Sequence, residues 1–432
     1  MGDLLTIVGG APLRGSLRLP GDKGISHRAL LFGAMAEGRT RAVGVAGGDD
    51  VFRTRRALGQ LGVGMTVAGS AVTIEGRGLD ALAEPGGVID CGNSGTTIRT
   101  LAGLLAGRRF LSVLAGDESL AQRPMRRIVE PLRAMGAHID GRADGALAPL
   151  VIRGDELRGC THQLSVASAQ VKTAILLAGM QADGATEVTE PFPSRDHTER
   201  MMSALGAPIE RVDATTVRVR AGKLTPFDAT IPGDPSSAAF WIVGAVVTPG
   251  SDVVLQGVAC NPTRIVFIDV LRRMGATIEV QLTGEVLGEP VGDIHVVSGS
   301  LEATTIEGAE IPLVQDEVPA LAIAASFADG TTEIRDAQEL RVKESDRIAT
   351  VEALLHDLGV GVETSGASLS IRGGHPRAGR LRGHGDHRIA MAAAIAANAT
   401  SGESFVEGWR ASSVSYPEFA DDLAVLTGHD AA

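Results

Sequence analysis

The three cysteines of this 432-residue chain, Cys91, Cys160 and Cys260, lie far apart and form no C-x-x-C pair. That spacing excludes a disulfide framework and a structural zinc site. Basic charge is in deficit: 40 Lys and Arg stand against 52 Asp and Glu, a formal charge of −12. Gripping a nucleic-acid backbone needs a basic face, so nucleic acid is excluded and any positive site must be local. Long apolar runs are missing too. The most apolar stretch, Ala238–Val247, ends at Thr248-Pro-Gly250 and is too short to span a bilayer, so no membrane is expected. The opening Met1-Gly-Asp-Leu-Leu-Thr6 has no basic region ahead of an apolar core, so no signal peptide is read and a cytoplasmic protein is expected. Neither a G-x4-G-K-[ST] loop nor a strand-linked G-x-G-x-x-G occurs, which leaves nucleotide and dinucleotide chemistry unsupported.

What is present is globular: 44% apolar residues, 21% charged and 55 glycines. The length suits about three average domains. A short phrase recurs roughly every 70 residues, as expected of an internal repeat. It reads Gln60-Leu-Gly62, Ala134-Met-Gly136, Ala204-Leu-Gly206, Arg273-Met-Gly275 and Asp357-Leu-Gly359, with a sixth copy, Val425-Leu-Thr-Gly428, cut short by the C-terminus. Gly after a last apolar turn is a helix C-cap signal, and segments such as Ala71-Val-Thr-Ile74 and Thr216-Val-Arg-Val219 then read as strands. A second, Ala-rich helix recurs in each unit, starting near Asp22, Gly92, Ser165, Asp234, Gln315 and Asp386. Pro20-Gly-Asp22 is echoed by Pro232-Gly-Asp234, which predicts two lobes of three units with crossings near these residues.

Several of those helix openings carry cations. Pro20-Gly-Asp-Lys-Gly-Ile-Ser-His-Arg28 places Lys23 and Arg28 at a helix N-terminus, where unpaired N–H groups and the dipole favour anions. Asn93-Ser-Gly-Thr-Thr97 is a turn of small residues suited to close approach of a phosphate, and equally a plain helix start. Gln122-Arg-Pro-Met-Arg-Arg127 has three Arg, whose plain reading is a solvated surface run. Ser165-Val-Ala-Ser-Ala-Gln-Val-Lys172 offers hydroxyls, an amide and an ammonium. Asp316 and Glu317 read as ordinary acidic caps of the helix that follows. In Arg341-Val-Lys-Glu-Ser-Asp-Arg347, a continuous helix would set Lys343 and Arg347 side by side at i, i+4, a repulsion that an anion between them relieves. His384, Asp386 and His387 have no further ligand nearby to complete a metal site, so no metal is expected. Together the motifs suit a small molecule with several anionic groups.

In combination, Pro20-Gly-Asp-Lys23 with Ser26-His-Arg28, Gly92-Asn-Ser-Gly-Thr96, Arg123-Pro124, Ser168-Ala-Gln170, Asp316, Arg341-Val-Lys-Glu-Ser-Asp-Arg347 and Asp386-His-Arg388 resemble the 5-enolpyruvylshikimate-3-phosphate synthase family over essentially the whole length. The resemblance implies an α/β (α+β) protein of the inside-out barrel type. It would have two lobes, each of three βαβαββ units, joined by two hinge crossovers and closing on the substrates: residues 1–20 plus 235–432, and residues 21–234. It implies transfer of the enolpyruvyl group of phosphoenolpyruvate to the 5-hydroxyl of shikimate 3-phosphate, with phosphate released, no metal or organic cofactor, small-molecule partners only, and a monomer.

Carried over by position, Lys23 would touch both substrates. Gly24, Arg28, Ser168, Ala169, Gln170, Arg195, Asp316 and Lys343 would surround shikimate 3-phosphate, with Arg28 on its carboxylate. Gly95 and Arg123 would hold the phosphate of phosphoenolpyruvate, Gln170 would reach it as well, and Arg347 and Arg388 would take its carboxylate. A guanidinium suits that role because it donates two parallel hydrogen bonds. Asp316 would be the base for the hydroxyl, and Glu344 with Lys23 would protonate the methylene carbon. Neighbouring cations lower a carboxylate pKa and burial raises it. Two positions depart from the family pattern: Gly24 stands where Ser is usual, and Val414 where some members have Lys. The segments Arg195-Asp-His-Thr-Glu199, Ser168-Ala-Gln-Val-Lys172 and Asn261-Pro-Thr-Arg264 resemble the glyphosate-tolerant class, whereas Gly95 is the small residue of sensitive members; partial tolerance is the expectation. The related UDP-N-acetylglucosamine enolpyruvyl transferases carry a reactive Cys that the loop around Arg123 lacks. A catalytically silent paralogue would not need Lys23, Asp316, Glu344 and the three Arg together.

Overall fold

The computed structural model describes residues 3–428. Its contacts divide the chain into two units. The Asp316 unit comprises Met1–Pro20, Pro232–Gly284 and Pro290–Ala432; the Lys23 unit comprises Gly21–Ile231 and Glu285–Glu289.

The Lys23 unit holds three four-stranded sheets of one pattern. In one of them Ile89–Asp90 runs parallel to Leu111–Ala115, which pairs antiparallel with Leu147–Arg153, and that strand pairs antiparallel with His138–Gly141. Thr161–Gln163, Ala185–Thr189, Thr216–Arg220 and Ile209–Arg211 repeat the arrangement. In the sheet built on Glu37–Val43 the parallel strand is Asp228–Thr230, which comes from the far end of the segment. The unit is thereby closed on itself.

The Asp316 unit follows the same rule. Parallel pairs join Arg14–Arg18 to Asp252–Ala259, Thr305–Ile306 to Thr331–Ile334 and Arg380–Arg382 to Gly402–Glu407. Its last sheet has three strands, the third being Leu4–Gly9, antiparallel to Gly402–Glu407. The repeat truncated at the C-terminus is completed by the first strand of the chain, which covers an edge that would otherwise expose unpaired backbone.

Six inner helices carry the Ala-rich runs: α1 (Lys23–Met35), α2 (Gly95–Leu105), α3 (Ala169–Gly179), α4 (Pro235–Val247), α5 (Val318–Ser326) and α6 (His387–Ala399). Every residue of α4 and α5 is buried. Helices apolar all round belong inside, and their small side chains let them approach closely. Between α2 and α3 the approach is so close that a Cβ on Gly103 would lie 2.1 Å from the Ala174 carbonyl oxygen. The outer helices Asp49–Gln60, Arg126–Ala134, His197–Ala204, Val266–Arg273, Arg347–Asp357 and Phe419–Thr427 bury one face only. Each stops at the repeated glycine, and Gly62, Gly136, Gly206, Gly275, Gly359 and Gly428 all have left-handed φ between 67° and 112°. Those are the C-caps read from the sequence. In the Asp316 unit, Phe419 stacks on Trp241 with ring centroids 4.3 Å apart and fixes the last helix to α4. Among the described residues no helix is long and apolar enough to cross a membrane.

Candidate active site

In the Lys23 unit, Asp22 caps α1 by accepting the Ile25 N–H at 2.7 Å, so the helix starts at Lys23. The Lys23 ammonium pairs with Asp50 at 2.9 Å. One turn on, Arg28 is buried and donates to the Gly24 carbonyl (2.9 Å), Thr173 Oγ1 (2.9 Å) and Thr198 Oγ1 (2.8 Å). Ser94 caps α2, so Gly95 is its first residue. Arg123 donates to Asn93 Oδ1 at 2.5 Å, and Arg99 to Gln170 Oε1 at 2.6 Å. Gln170 in turn donates to Thr96 Oγ1 at 2.9 Å. The Arg99 and Arg123 guanidinium groups close over Gly95: a Cβ there would lie 2.7 Å from one and 3.2 Å from the other.

A buried hydroxyl chain ties the same helices together. His27 Nδ1 meets Thr54 Oγ1 at 2.7 Å, Thr54 meets Thr97 Oγ1 at 2.7 Å, and Thr97 donates to Ser94 Oγ at 2.8 Å. Complete burial, helped by Lys23 and Arg28 and opposed by Asp50, drives the His27 pKa down to about 3, so the ring is neutral. The structure thus gathers Lys23, Gly24, Arg28, Gly95, Arg123, Ser168, Ala169 and Gln170 at the mouths of α1, α2 and α3. One plain reading of the sequence needs correction here. Arg123 does not belong to a solvated surface run; it is 7% exposed and bound to Asn93, while Arg126 does face solvent beside Glu130.

In the Asp316 unit, the expected helix through Lys343 and Arg347 does not form. A short 3-10 turn, Gln338–Val342, ends at Lys343, and the next helix starts only at Arg347, because Asp346 caps it by accepting from the Ile348 and Ala349 N–H groups. Lys343 and Arg347 still meet, at an acid of this chain: Asp316 Oδ1 lies 3.7 Å from Lys343 Nζ and 3.0 Å from Arg347 Nη1. Arg388 adds its Nη2 at 3.7 Å from Asp316 Oδ2 and donates to the Asp316 carbonyl at 3.1 Å. The cap reading of Asp316 and Glu317 fails with it. Glu317, at the N-cap position of α5, makes no cap bond with its side chain and accepts from Ser236 Oγ instead. Ser236 also accepts from Arg264 at 2.8 Å, and Arg264 pairs with Asp234, the cap of α4, at 3.0 Å.

Arg347 is 0% exposed, and its three nitrogens reach Asp386 (2.9 Å), Asp316 (3.0 Å) and Glu344 (2.6 Å). Burial opposes its charge, but Asp386, Glu344 and Asp316 outweigh that and raise its pKa above the ordinary value. Burial likewise opposes ionisation of Asp386, yet Arg347 and His387 hold its pKa below the usual carboxylate range. Asp316, Lys343, Glu344, Arg347 and Arg388 therefore form one network of alternating charge, in which a single buried guanidinium, Arg347, holds the Asp316 and Glu344 carboxylates. Among the described residues no group of three or more His, Cys, Asp or Glu side chains is arranged to hold a metal ion.

Sequence reasoning missed Asp50 and Thr54, and it marked the turn Asn93–Thr97 without assigning Asn93 to Arg123 or Thr97 to the hydroxyl chain. Asp49-Asp50 opens an outer helix and looks like ordinary N-terminal acid; only the contact across 27 residues shows that Asp50 holds Lys23.

A sixfold repeat of helices whose capped, cation-bearing mouths gather in two clusters defines a class of anion-handling α/β proteins, and comparison with known proteins narrows it. The sequence model of one family, EPSP synthase (3-phosphoshikimate 1-carboxyvinyltransferase), matches residues 7–423. The chain is 48% identical over 416 residues to the 3-phosphoshikimate 1-carboxyvinyltransferase of Shouchella clausii, covering 96% of each. It is 49% identical to that of Synechococcus sp. (strain JA-3-3Ab), covering 100% of this chain and 98% of the relative. The solved EPSP synthase of Acinetobacter baumannii superposes with a TM-score of 0.88 at 40% identity over 98% of both chains. The enolpyruvyl transferase NikO of Streptomyces tendae shares the fold, with a TM-score of 0.79 at 20% identity, covering 99% of this chain and 98% of that one. The chain belongs to the EPSP synthase family.

Proposed function

We infer that this chain transfers the enolpyruvyl group of phosphoenolpyruvate to the 5-hydroxyl of shikimate 3-phosphate and releases phosphate, a step of the shikimate pathway. The observation that carries this reading is the meeting of Lys343, Arg347 and Arg388 on Asp316 at the mouth of α5. A carboxylate held by three cations is fixed where a hydroxyl can hand it a proton, and those cations attract substrates that are themselves anions.

In this reading Asp316 removes the 5-hydroxyl proton as the oxygen attacks C2 of phosphoenolpyruvate, and Glu344, with Lys23, supplies a proton to C3. The tetrahedral intermediate then eliminates phosphate as Glu344 takes a proton back from the C3 methyl, so that the C2–O bond to phosphate breaks and the C2–C3 double bond is restored. Arg347 and Arg388 take the carboxylate of phosphoenolpyruvate. Arg347 donates to Glu344 in the present structure, so a substrate carboxylate arriving at Nη2 would release Glu344 for proton transfer. Gly95 N–H and Arg123 hold the phosphate that leaves, and Gln170, fixed by Arg99 and Thr96, orients it. Lys23, Gly24, Arg28, Ser168, Ala169, Arg195, Asp316 and Lys343 bind shikimate 3-phosphate. The protein acts as a monomer, and its tolerance to glyphosate is partial.

Phosphate release that requires both phosphoenolpyruvate and shikimate 3-phosphate tests the reading; release with phosphoenolpyruvate alone, or none with the pair, overturns it. Inhibition by glyphosate at the concentrations that stop sensitive enzymes would remove the tolerance assignment.

A further inference from the structure

The Lys23 unit contains a buried charge cluster to which the chemistry above gives no part. Lys172, on the first turns of α3, is 4% exposed and pairs with Glu190 at 2.6 Å and with Glu199 at 2.7 Å, both acids being nearly as buried. Burial would push the ammonium pKa down, but Glu199 and Glu190 outweigh it and hold the pKa above its ordinary value, so one cation is locked between two carboxylates. The two acids are not equivalent. Beyond Lys172, Glu190 accepts the backbone N–H of Ser168 at 3.0 Å and the hydroxyl of Ser194 at 2.6 Å. Glu199 lies on the outer helix His197–Ala204, and among the described residues it joins this cluster through Lys172 alone.

Ser168 caps α3 and is followed by Ala169 and Gln170; Ser194 is followed by Arg195. Glu190 directly follows the strand Ala185–Thr189, which is held on both sides within its sheet. One carboxylate on a rigid strand end therefore grips the two segments to which the preceding reading assigns shikimate 3-phosphate. We propose that Glu190 is a positioning residue: it sets the separation of Ser168 from Arg195 and so acts on shikimate 3-phosphate binding without touching the substrate. The inference rests on the proposed activity.

Chemistry supplies a matched pair of variants. Either Glu190→Gln or Glu199→Gln leaves Lys172 with one carboxylate, so charge loss is the same in both. A glutamine at 199 keeps an oxygen for Lys172 and forfeits nothing else in the cluster. A glutamine at 190 has one acceptor oxygen where the carboxylate used two, so it must abandon either Lys172 or the Ser168 and Ser194 donors. Glu190→Gln is expected to raise the KM for shikimate 3-phosphate about tenfold, the scale of one hydrogen bond to a charged group, with the KM for phosphoenolpyruvate within about twofold. Glu199→Gln should leave both KM values within about twofold of the parent. Ser194→Ala, which removes one grip and no charge, should shift the shikimate 3-phosphate KM in the same direction as Glu190→Gln, and it decides the matter if Glu190→Gln does not fold. Equal effects of the two Gln variants, or equal shifts in both KM values, would make the cluster purely structural and sink the proposal. Calorimetric titration of the parent with shikimate 3-phosphate separates the two levels: no binding and no turnover refutes the activity, whereas normal parent behaviour with unaltered Glu190→Gln kinetics refutes only the role of Glu190.

Discussion

Replacing Asp316 by Asn separates proton transfer from substrate binding, because Asn keeps the shape of the side chain and loses its charge and basicity. The groups in contact around it are three cations, Lys343, Arg347 and Arg388, and three acids, Asp316, Glu344 and Asp386. The substitution removes one negative charge from among these groups, so binding of a doubly anionic substrate should hold or tighten. The fold should survive as well. Arg347 keeps Glu344 and Asp386, and the Asn oxygen can still accept one bond, so the expected cost is about 1 kcal/mol. Turnover is another matter. Loss of a general base lowers rates by roughly 10²–10⁴, or about 3–5 kcal/mol of barrier. The measurement is phosphate release under saturating substrates beside calorimetric titration with shikimate 3-phosphate and a thermal midpoint. Turnover within about tenfold of the parent would remove Asp316 from the proton path, and loss of shikimate 3-phosphate binding at an unchanged thermal midpoint would mean that its charge serves binding rather than proton transfer.

Gly24→Ser tests the departure from the family pattern: a Cβ there would lie 3.1 Å from Asp22 Oδ1 and 3.4 Å from His197 Cδ2, which a small adjustment accommodates. A restored hydroxyl should lower the KM for shikimate 3-phosphate about tenfold, and an unchanged value would show that the Gly24 backbone already suffices. Gly95→Ala should raise the KM for phosphoenolpyruvate about tenfold, because the methyl displaces Arg99 and presses on Arg123; a normal KM would show that both side chains swing aside freely. His27 gives a pH signature. Its folded pKa of about 3 lies below the unfolded 6.5, so the native state binds fewer protons and stability falls as pH drops from 6.5 towards 3. Between pH 7 and 4 this amounts to about 3 kcal/mol, seen as a falling urea midpoint that His27→Gln flattens; parallel curves for the two proteins would contradict the assignment.

What could be read from the sequence was local, and what could not was long-range. The glycines closing the outer helices have a conformational reason that any one copy carries, and their recurrence exposes the sixfold plan. The capping residues Asp22 and Asp234 are legible for the same cause: their partners lie within three residues. Asp346 shows the limit of such reading. Inside a dense run of charge it looked like one more helical residue, yet it caps the helix after it and thereby takes Lys343 off that helix. The partner that Lys343 and Arg347 share, Asp316, comes from about thirty residues earlier, and no periodicity points to it. Glu190 is hidden in the same way, since its value depends on Ser168 and Ser194 reaching it from different segments. Completion of the last sheet by the strand Leu4–Gly9 is likewise a pairing that only the folded chain defines.

The arginines of the two clusters are held by different means. In the Lys23 unit the bonds described above set Arg28, Arg99 and Arg123 against hydroxyl, carbonyl and amide oxygens of Thr173, Thr198, Gly24, Gln170 and Asn93. A neutral acceptor orients a guanidinium without bringing an opposing charge of its own. In the Asp316 unit the Arg347 guanidinium is instead paired with acids, and with His387 it outweighs burial and holds the Asp386 pKa below the usual carboxylate range. Under the roles proposed above, exchanging the two designs would defeat both: acids beside Arg123 would repel a leaving phosphate, and amides in place of Asp316 and Glu344 would leave neither carboxylate to carry a proton. The chain can therefore be acidic overall, at −12, and still hold anions, because the sign that matters is set within a few ångströms of each helix mouth.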